Sequence, residues 1–252
     1  MLDKTPRFDE YPHPGHLPGP AHCFRAAEPE PLSFKNARRD QNSVSSGLER
    51  KVLMWMALRI PARVNSDHLT ALGFISMLLV GVSYALARSN SLGLILATFF
   101  LALNWFGDSL DGTLARVRNR QRPRYGFYVD HMLDVFGALF LLSGLAVSEY
   151  IDWRIAAGML VAFLMLSIEV YLATYTLGVF RLSFFKLGPT EIRILLALGN
   201  TALWFKPHAR VSGLGFRLFD FGGCMAIGVM AIVLIATTAI HALKLYREER
   251  LP

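Results

Sequence analysis

The stretch GDSLDGTLARVRNRQRPRYGFYVDHMLDVFG, residues 107–137, decides how this chain is read. It sets four carboxylates at the junction of two apolar runs. Asp108, Asp111, Gly112 and Ala115 stand at i, i+3, i+4 and i+7, which is one face of a helix. Gly126, Asp130 and Asp134 stand at i, i+4 and i+8, one face of the next helix. A short basic loop joins the two runs, so they are expected to pack as antiparallel neighbours and bring the carboxylates together. Four negative charges in a low-dielectric site need cations. Oxygen-only ligands favour a hard ion, Mg²⁺ or Mn²⁺, over zinc. Four carboxylates suit two ions, and paired ions clamp the attacking and leaving oxygens of a phosphoryl transfer. Gly112, Ala115 and Gly126 share these faces with almost no side chain. They leave room for something flat or bulky, or else allow close packing of membrane helices.

Composition supplies the setting. Of 252 residues, 53% are hydrophobic and 18% charged, against ~45–50% and ~25% in soluble domains. That excludes an ordinary water-soluble domain, a disordered protein and a small disulfide scaffold. The cysteines, Cys23 and Cys224, are too few for a thiolate metal site. A net charge of +7 reads as basic loops against anionic lipid, not as nucleic-acid binding.

The expected fold is all-α and polytopic, with six transmembrane helices near 68–87, 91–113, 126–147, 153–178, 190–206 and 221–243. An interfacial amphipathic helix precedes them in LERKVLMWMALRI, residues 48–60, where Leu48, Val52, Trp55, Met56 and Arg59 fall near one helical spacing. Residues 1–46 are proline-rich and polar and read as a cytoplasmic tail. Residues 47–252 read as the membrane domain. Basic residues cluster at Arg50, Lys51, Arg59 and Arg63, at Arg116 to Arg124, at Arg181 and Lys186, and at Lys244, Arg247 and Arg250. The opposite loops are thinner, although the last holds Lys206, Arg210 and Arg217. Both termini and the carboxylate site are therefore expected to face the cytoplasm.

The pattern D-x2-D-G-x2-A-R, nine residues, then G-x3-D-x3-D is filled here by Asp108, Asp111, Gly112, Ala115, Arg116, Gly126, Asp130 and Asp134. It resembles the signature of the CDP-alcohol phosphotransferases. The signature covers 27 residues, and the layout of spans extends the resemblance over about residues 48–245. What it implies is an enzyme of phospholipid synthesis. Such an enzyme moves a phosphatidyl or phospho-alcohol group from a CDP-linked donor to an alcohol acceptor and releases CMP. By the resemblance, Asp108, Asp111, Asp130 and Asp134 hold Mg²⁺ or Mn²⁺, two ions in all, and Asp134 is the general base on the acceptor hydroxyl. Asp111, Gly112, Ala115, Arg116 and Gly126 form the nucleotide site. Arg116 meets a donor phosphate or braces an aspartate. A homodimer is common in such a family.

Weaker signals surround this core. Asn65 and Thr70 match the family partially, and Asn65 also suits a helix cap. His131 beside Asp130, and Gly188-Pro189-Thr190-Glu191, are reminiscent of the choline and ethanolamine branch. Arg181, Lys186 and Arg193 suit a phosphorylated acceptor. Glu169, placed mid-span, is expected to face the polar cavity or to pair with Arg193. The rival classes are a divalent-cation transporter, which predicts carboxylates at the bilayer midplane, and an inactive membrane scaffold, which predicts lost aspartates.

Overall fold

A computed structural model describes residues 38–39, 46–180, 188–207, 209–210 and 215–249. Cys23, Arg181 and Lys186 lie outside the described residues. Within them the chain is helical: α1 Ser46–Ala57, α2 Ser66–Ala87, α3 Leu92–Val117, α4 Pro123–Val147, α5 Trp153–Leu177, α6 Pro189–Phe205 and α7 Leu218–Glu248. Strand-like pairing among the described residues is confined to Arg38–Arg39 beside Val179–Phe180 and a bridge between Arg210 and Arg217.

The helix limits follow local chemistry. Pro123 and Pro189 occupy first turns, where a missing N–H costs nothing. Asp152 caps α5 by accepting from the Arg154 N–H at 2.8 Å. Gly178, at φ +65°, ends α5 in the left-handed conformation. Asn119, at φ 52°, turns the chain between α3 and α4.

Helices α2, α3, α4, α5 and α7 are long and apolar enough to cross a membrane. The expected span at 190–206 corresponds to α6, whose 17 residues rise about 26 Å. That is short of a hydrocarbon core of ~30 Å.

Helix α2 is the hub. It packs along both α3 and α4, while α3 and α4 hardly touch each other. The expected neighbour packing of α3 and α4 is thus corrected: despite their short connection, α2 lies between them. Glycines permit this. A Cβ on Gly107 of α3 would come within 2.6 Å of Gly73 N and Leu69 O of α2, and one on Gly144 of α4 would collide with the Gly81 carbonyl. With α2 wedged between them, α3 and α4 face each other across a cavity lined by residues of all three helices.

Two apolar clusters flank this arrangement. Val80, Tyr84, Leu94, Leu101, Leu141 and Leu145 fill one. There Tyr84 donates to Asn200 Oδ1 at 2.9 Å, and Asn200 Nδ2 donates to Thr98 at 3.1 Å, so α2, α6 and α3 are tied through buried polar groups. Leu53, Ala57, Leu69, Leu110 and Leu114 form the other and seat α1 on the bundle. Val52 and Trp55 of the expected α1 stripe stay exposed. Glu49 adds a polar tie, accepting from Trp105 Nε1 and Thr190 Oγ1, each at 2.9 Å.

Candidate active site

All four aspartates of the motif line one cavity. Asp108 and Asp111 come from α3 and Asp130 and Asp134 from α4, while Thr70, Gly73, Phe74 and Met77 of α2 form its back wall and Arg193 of α6 joins from the side. Asp108, Asp111 and Asp130 are half-buried, and Asp134 is exposed.

Each α3 carboxylate has a fixed partner. Thr70 Oγ1 donates to Asp111 Oδ2 at 2.6 Å, and the Gly112 N–H donates to Asp111 Oδ1. Arg193 pairs with Asp108 Oδ2 at 2.6 Å, with only 14% of the arginine side chain exposed. Among the described residues, no three Asp, Glu, His or Cys side chains converge to the spacing of a bound ion. Asp108 is turned to Arg193 and Asp111 to Thr70, so they would have to reorient to share one cation. In donor chemistry the set fits: four carboxylates around one cavity supply only hard oxygens.

Gly112 and Gly126 are not at helix crossings. Among the described residues, a Cβ on Gly126 would meet nothing within 4 Å, and one on Gly112 would meet only Arg116 Nη1, at 3.7 Å. Ala115 is half-buried. Arg116 donates to Thr113 Oγ1 at 3.0 Å. Arg118 donates to the carbonyls of Ile60, Pro61 and Val64, fastening the segment after α1 to the end of α3.

The weaker candidates divide. Thr70 reaches the site through Asp111, while Asn65 sits at the N-cap of α2, its N–H donating to His68 Nδ1 at 3.3 Å. His131 is buried away from the cavity lining, stacked on Phe127 at 4.2 Å, with Nδ1 2.6 Å from the Phe127 carbonyl. Glu191 closes the first turn of α6 by accepting from the Gly188 N–H at 2.8 Å. Glu169 meets neither the cavity nor Arg193. Its Oε1 lies 2.6 Å from His241 Nδ1 of α7, an intramembrane partner that spacing alone does not reveal. Asn104 was not singled out by the motif, yet it lines the cavity one turn before Asp108. The available signal was a polar residue inside an apolar run, at i−4 from the first aspartate.

Among the described residues, then, a helical bundle with five helices long and apolar enough to cross a membrane holds one cavity lined by the four motif aspartates. The model of the CDP-alcohol phosphatidyltransferase family matches residues 64–239, and the chain belongs to that family. Among curated proteins, an archaetidylinositol phosphate synthase from Pyrococcus horikoshii is 29% identical over 92 residues, covering 36% of this chain. The match spans less than half of that relative, 46% of its length.

Proposed function

We propose that the protein transfers a phosphatidyl-type group from a CDP-linked lipid to a polar, phosphate-bearing alcohol at the cytoplasmic membrane surface. The acceptor hydroxyl attacks the lipid-side phosphorus of the pyrophosphate, the bond to the bridging oxygen breaks, and CMP leaves. The observation that carries this reading is the meeting of all four motif aspartates and Arg193 in one cavity.

Asp108, Asp111, Asp130 and Asp134 would hold Mg²⁺ or Mn²⁺, which when bound neutralises charge on the pyrophosphate and the departing CMP. Asp134, the exposed member, takes the proton of the acceptor hydroxyl as general base. Asp111, Gly112, Ala115, Arg116 and Gly126 border the donor nucleotide, with the open space above Gly112 and Gly126 admitting it. Arg193 reaches the acceptor phosphate, helped by Arg181 and Lys186. Residues 47–252 form the catalytic membrane domain, with residues 1–46 as its cytoplasmic tail and α6 as a short sixth span.

Two features favour this donor arrangement over CDP-choline or CDP-ethanolamine with a diacylglycerol acceptor. His131 is committed to a buried aromatic cluster, and Glu191 to a helix start, so both motifs that resembled the other branch have local structural roles. The relative named above is a synthase of an inositol phosphate lipid, which is consistent with a phosphorylated acceptor.

The test is CMP release by the purified full chain in detergent with Mg²⁺ or Mn²⁺. CDP-diacylglycerol, CDP-archaeol, CDP-choline and CDP-ethanolamine are each offered as donor against phosphorylated and unphosphorylated alcohols. Release from a CDP-lipid that depends on a phosphorylated acceptor is expected. Release from CDP-choline or CDP-ethanolamine with diacylglycerol would reverse the assignment of donor and acceptor.

A further inference from the structure

Among the described residues that line the cavity, Asn104 carries a fully buried side-chain oxygen with no hydrogen-bond partner. The side chain is 6% exposed, and it faces the same cavity as the four aspartates and Arg193. Asn104, Asp108 and Asp111 occupy i, i+4 and i+7 of α3, so they share one face. Nδ2 donates to the Gly73 carbonyl on α2 at 2.9 Å. A carbonyl can only accept, so this bond fixes which end of the amide is nitrogen. It leaves Oδ1 as a buried acceptor without a hydrogen-bond partner among the described residues.

An unsatisfied buried acceptor costs ~1–3 kcal/mol, and such groups are rare in folded proteins unless an ion or water completes them. The surroundings narrow the choice. An apolar ligand leaves the cost unpaid, and an anion would be repelled by the neighbouring carboxylates. A cation, or water in a cation's shell, matches a neutral oxygen beside Asp108 and Asp111. Mg²⁺ in particular keeps several of its waters when bound by carboxylates, and those waters need acceptors.

We propose that Asn104 is a further member of the divalent-cation site, its Oδ1 accepting a hydrogen bond from water bound to the cation that Asp108 and Asp111 hold. The inference rests on the metal assignment in the proposed function. The α2 backbone orients this amide through Gly73, and the same helix orients Asp111 through Thr70. Helix α2 therefore acts as the template of the cation site while contributing no carboxylate to it.

The experiment measures Mn²⁺ binding by electron paramagnetic resonance on the full chain in detergent, with no substrate present. Wild type, Asn104→Leu, Asn104→Asp and Asp111→Asn are compared, and the metal-free unfolding midpoint verifies that each is folded. Partners of this kind usually contribute 10–100-fold to metal affinity. Asn104→Leu is therefore expected to weaken Mn²⁺ at least about tenfold, whereas Asn104→Asp, which keeps an oxygen, retains binding. Asp111→Asn is expected to weaken it further. Wild-type affinity in Asn104→Leu, together with loss in Asp111→Asn, overturns the role of Asn104 alone. Unchanged affinity in both overturns the metal assignment itself. Should the leucine variant fail to fold, Asn104→Ala, which introduces no added bulk, carries the same comparison.

Discussion

Two sets of glycines on the same helices answer to different demands. Gly107 and Gly144 sit where α3 and α4 cross α2, and an added methyl at either would run into backbone. Gly112 and Gly126 sit on those same two helices, where an added methyl would meet, among the described residues, at most the tip of Arg116. The first pair is small because the fold needs it. The second pair meets no such contact among the described residues, which agrees with the proposal that it borders the donor nucleotide. The contrast separates a closed region, where the helices cross, from an open one, where the proposed chemistry is placed.

The largest effect should come from the open region. Asp134→Asn removes the proposed base while keeping the shape, and should lower CMP release by 10²–10⁴-fold with the unfolding midpoint unchanged. A variant with near-normal turnover would move the base to another residue and break the link between the exposed aspartate and the reaction.

The closed region should respond the opposite way. Gly144→Ala forces a methyl against the Gly81 carbonyl, so α4 must shift away from α2. Overpacking of this kind costs about 1–3 kcal/mol, seen as a lower unfolding midpoint in detergent. Per folded molecule, Mn²⁺ affinity should fall less than stability does. An unchanged midpoint would mean that the α2–α4 crossing has slack, and the wedge would lose its structural cause.

Gly126→Ala sharpens the contrast because it is the same chemical change on the same helix. Alanine gains up to about 1 kcal/mol over glycine in a helix and here meets no atom of the described residues within 4 Å. Stability should hold or rise while the KM for the CDP-linked donor rises about tenfold, the equivalent of ~1.4 kcal/mol of lost contact. An unaltered donor KM would remove Gly126 from the nucleotide border.

Much of this was legible in residues 107–137. Carboxylates at i, i+3 and i, i+4 define helix faces whatever the helices pack against, so four aspartates on two faces could be read directly. The all-α membrane class followed from the apolar runs. The wedge by α2 was not legible. A short loop between α3 and α4 permits close pairing, and only the backbone contacts at Gly73 and Gly107, and at Gly81 and Gly144, decide against it. Asn104 escaped for a related reason: an isolated asparagine in an apolar run gains meaning only once Gly73 fixes its amide. Spacing cannot show which neighbour a mid-span carboxylate meets, so Glu169, expected at the cavity or at Arg193, pairs instead with His241.

That pair, Glu169 with His241, gives the smallest expected effect and the closest challenge to the division. By chemistry it belongs with the open region, since buried ionisable groups inside a membrane default to function. By position it belongs with the closed one: it joins α5 to α7, and neither residue lines the aspartate cavity. Its side chains are 10% and 27% exposed, so the contact is largely sealed from solvent. Intramembrane hydrogen bonds average only about 0.6 kcal/mol, because an unfolded segment in lipid finds other partners. Glutamine can still hydrogen-bond the imidazole, so Glu169→Gln should shift stability by less than about 1 kcal/mol and leave CMP release unchanged. Glu169→Leu should cost somewhat more stability and again spare turnover. A hundredfold loss of CMP release in a normally stable Glu169→Gln variant would make the α5–α7 contact part of the reaction. The carboxylate's charge, and not its hydrogen bond, would then be the property that matters, and location in the bundle would no longer separate fold from function.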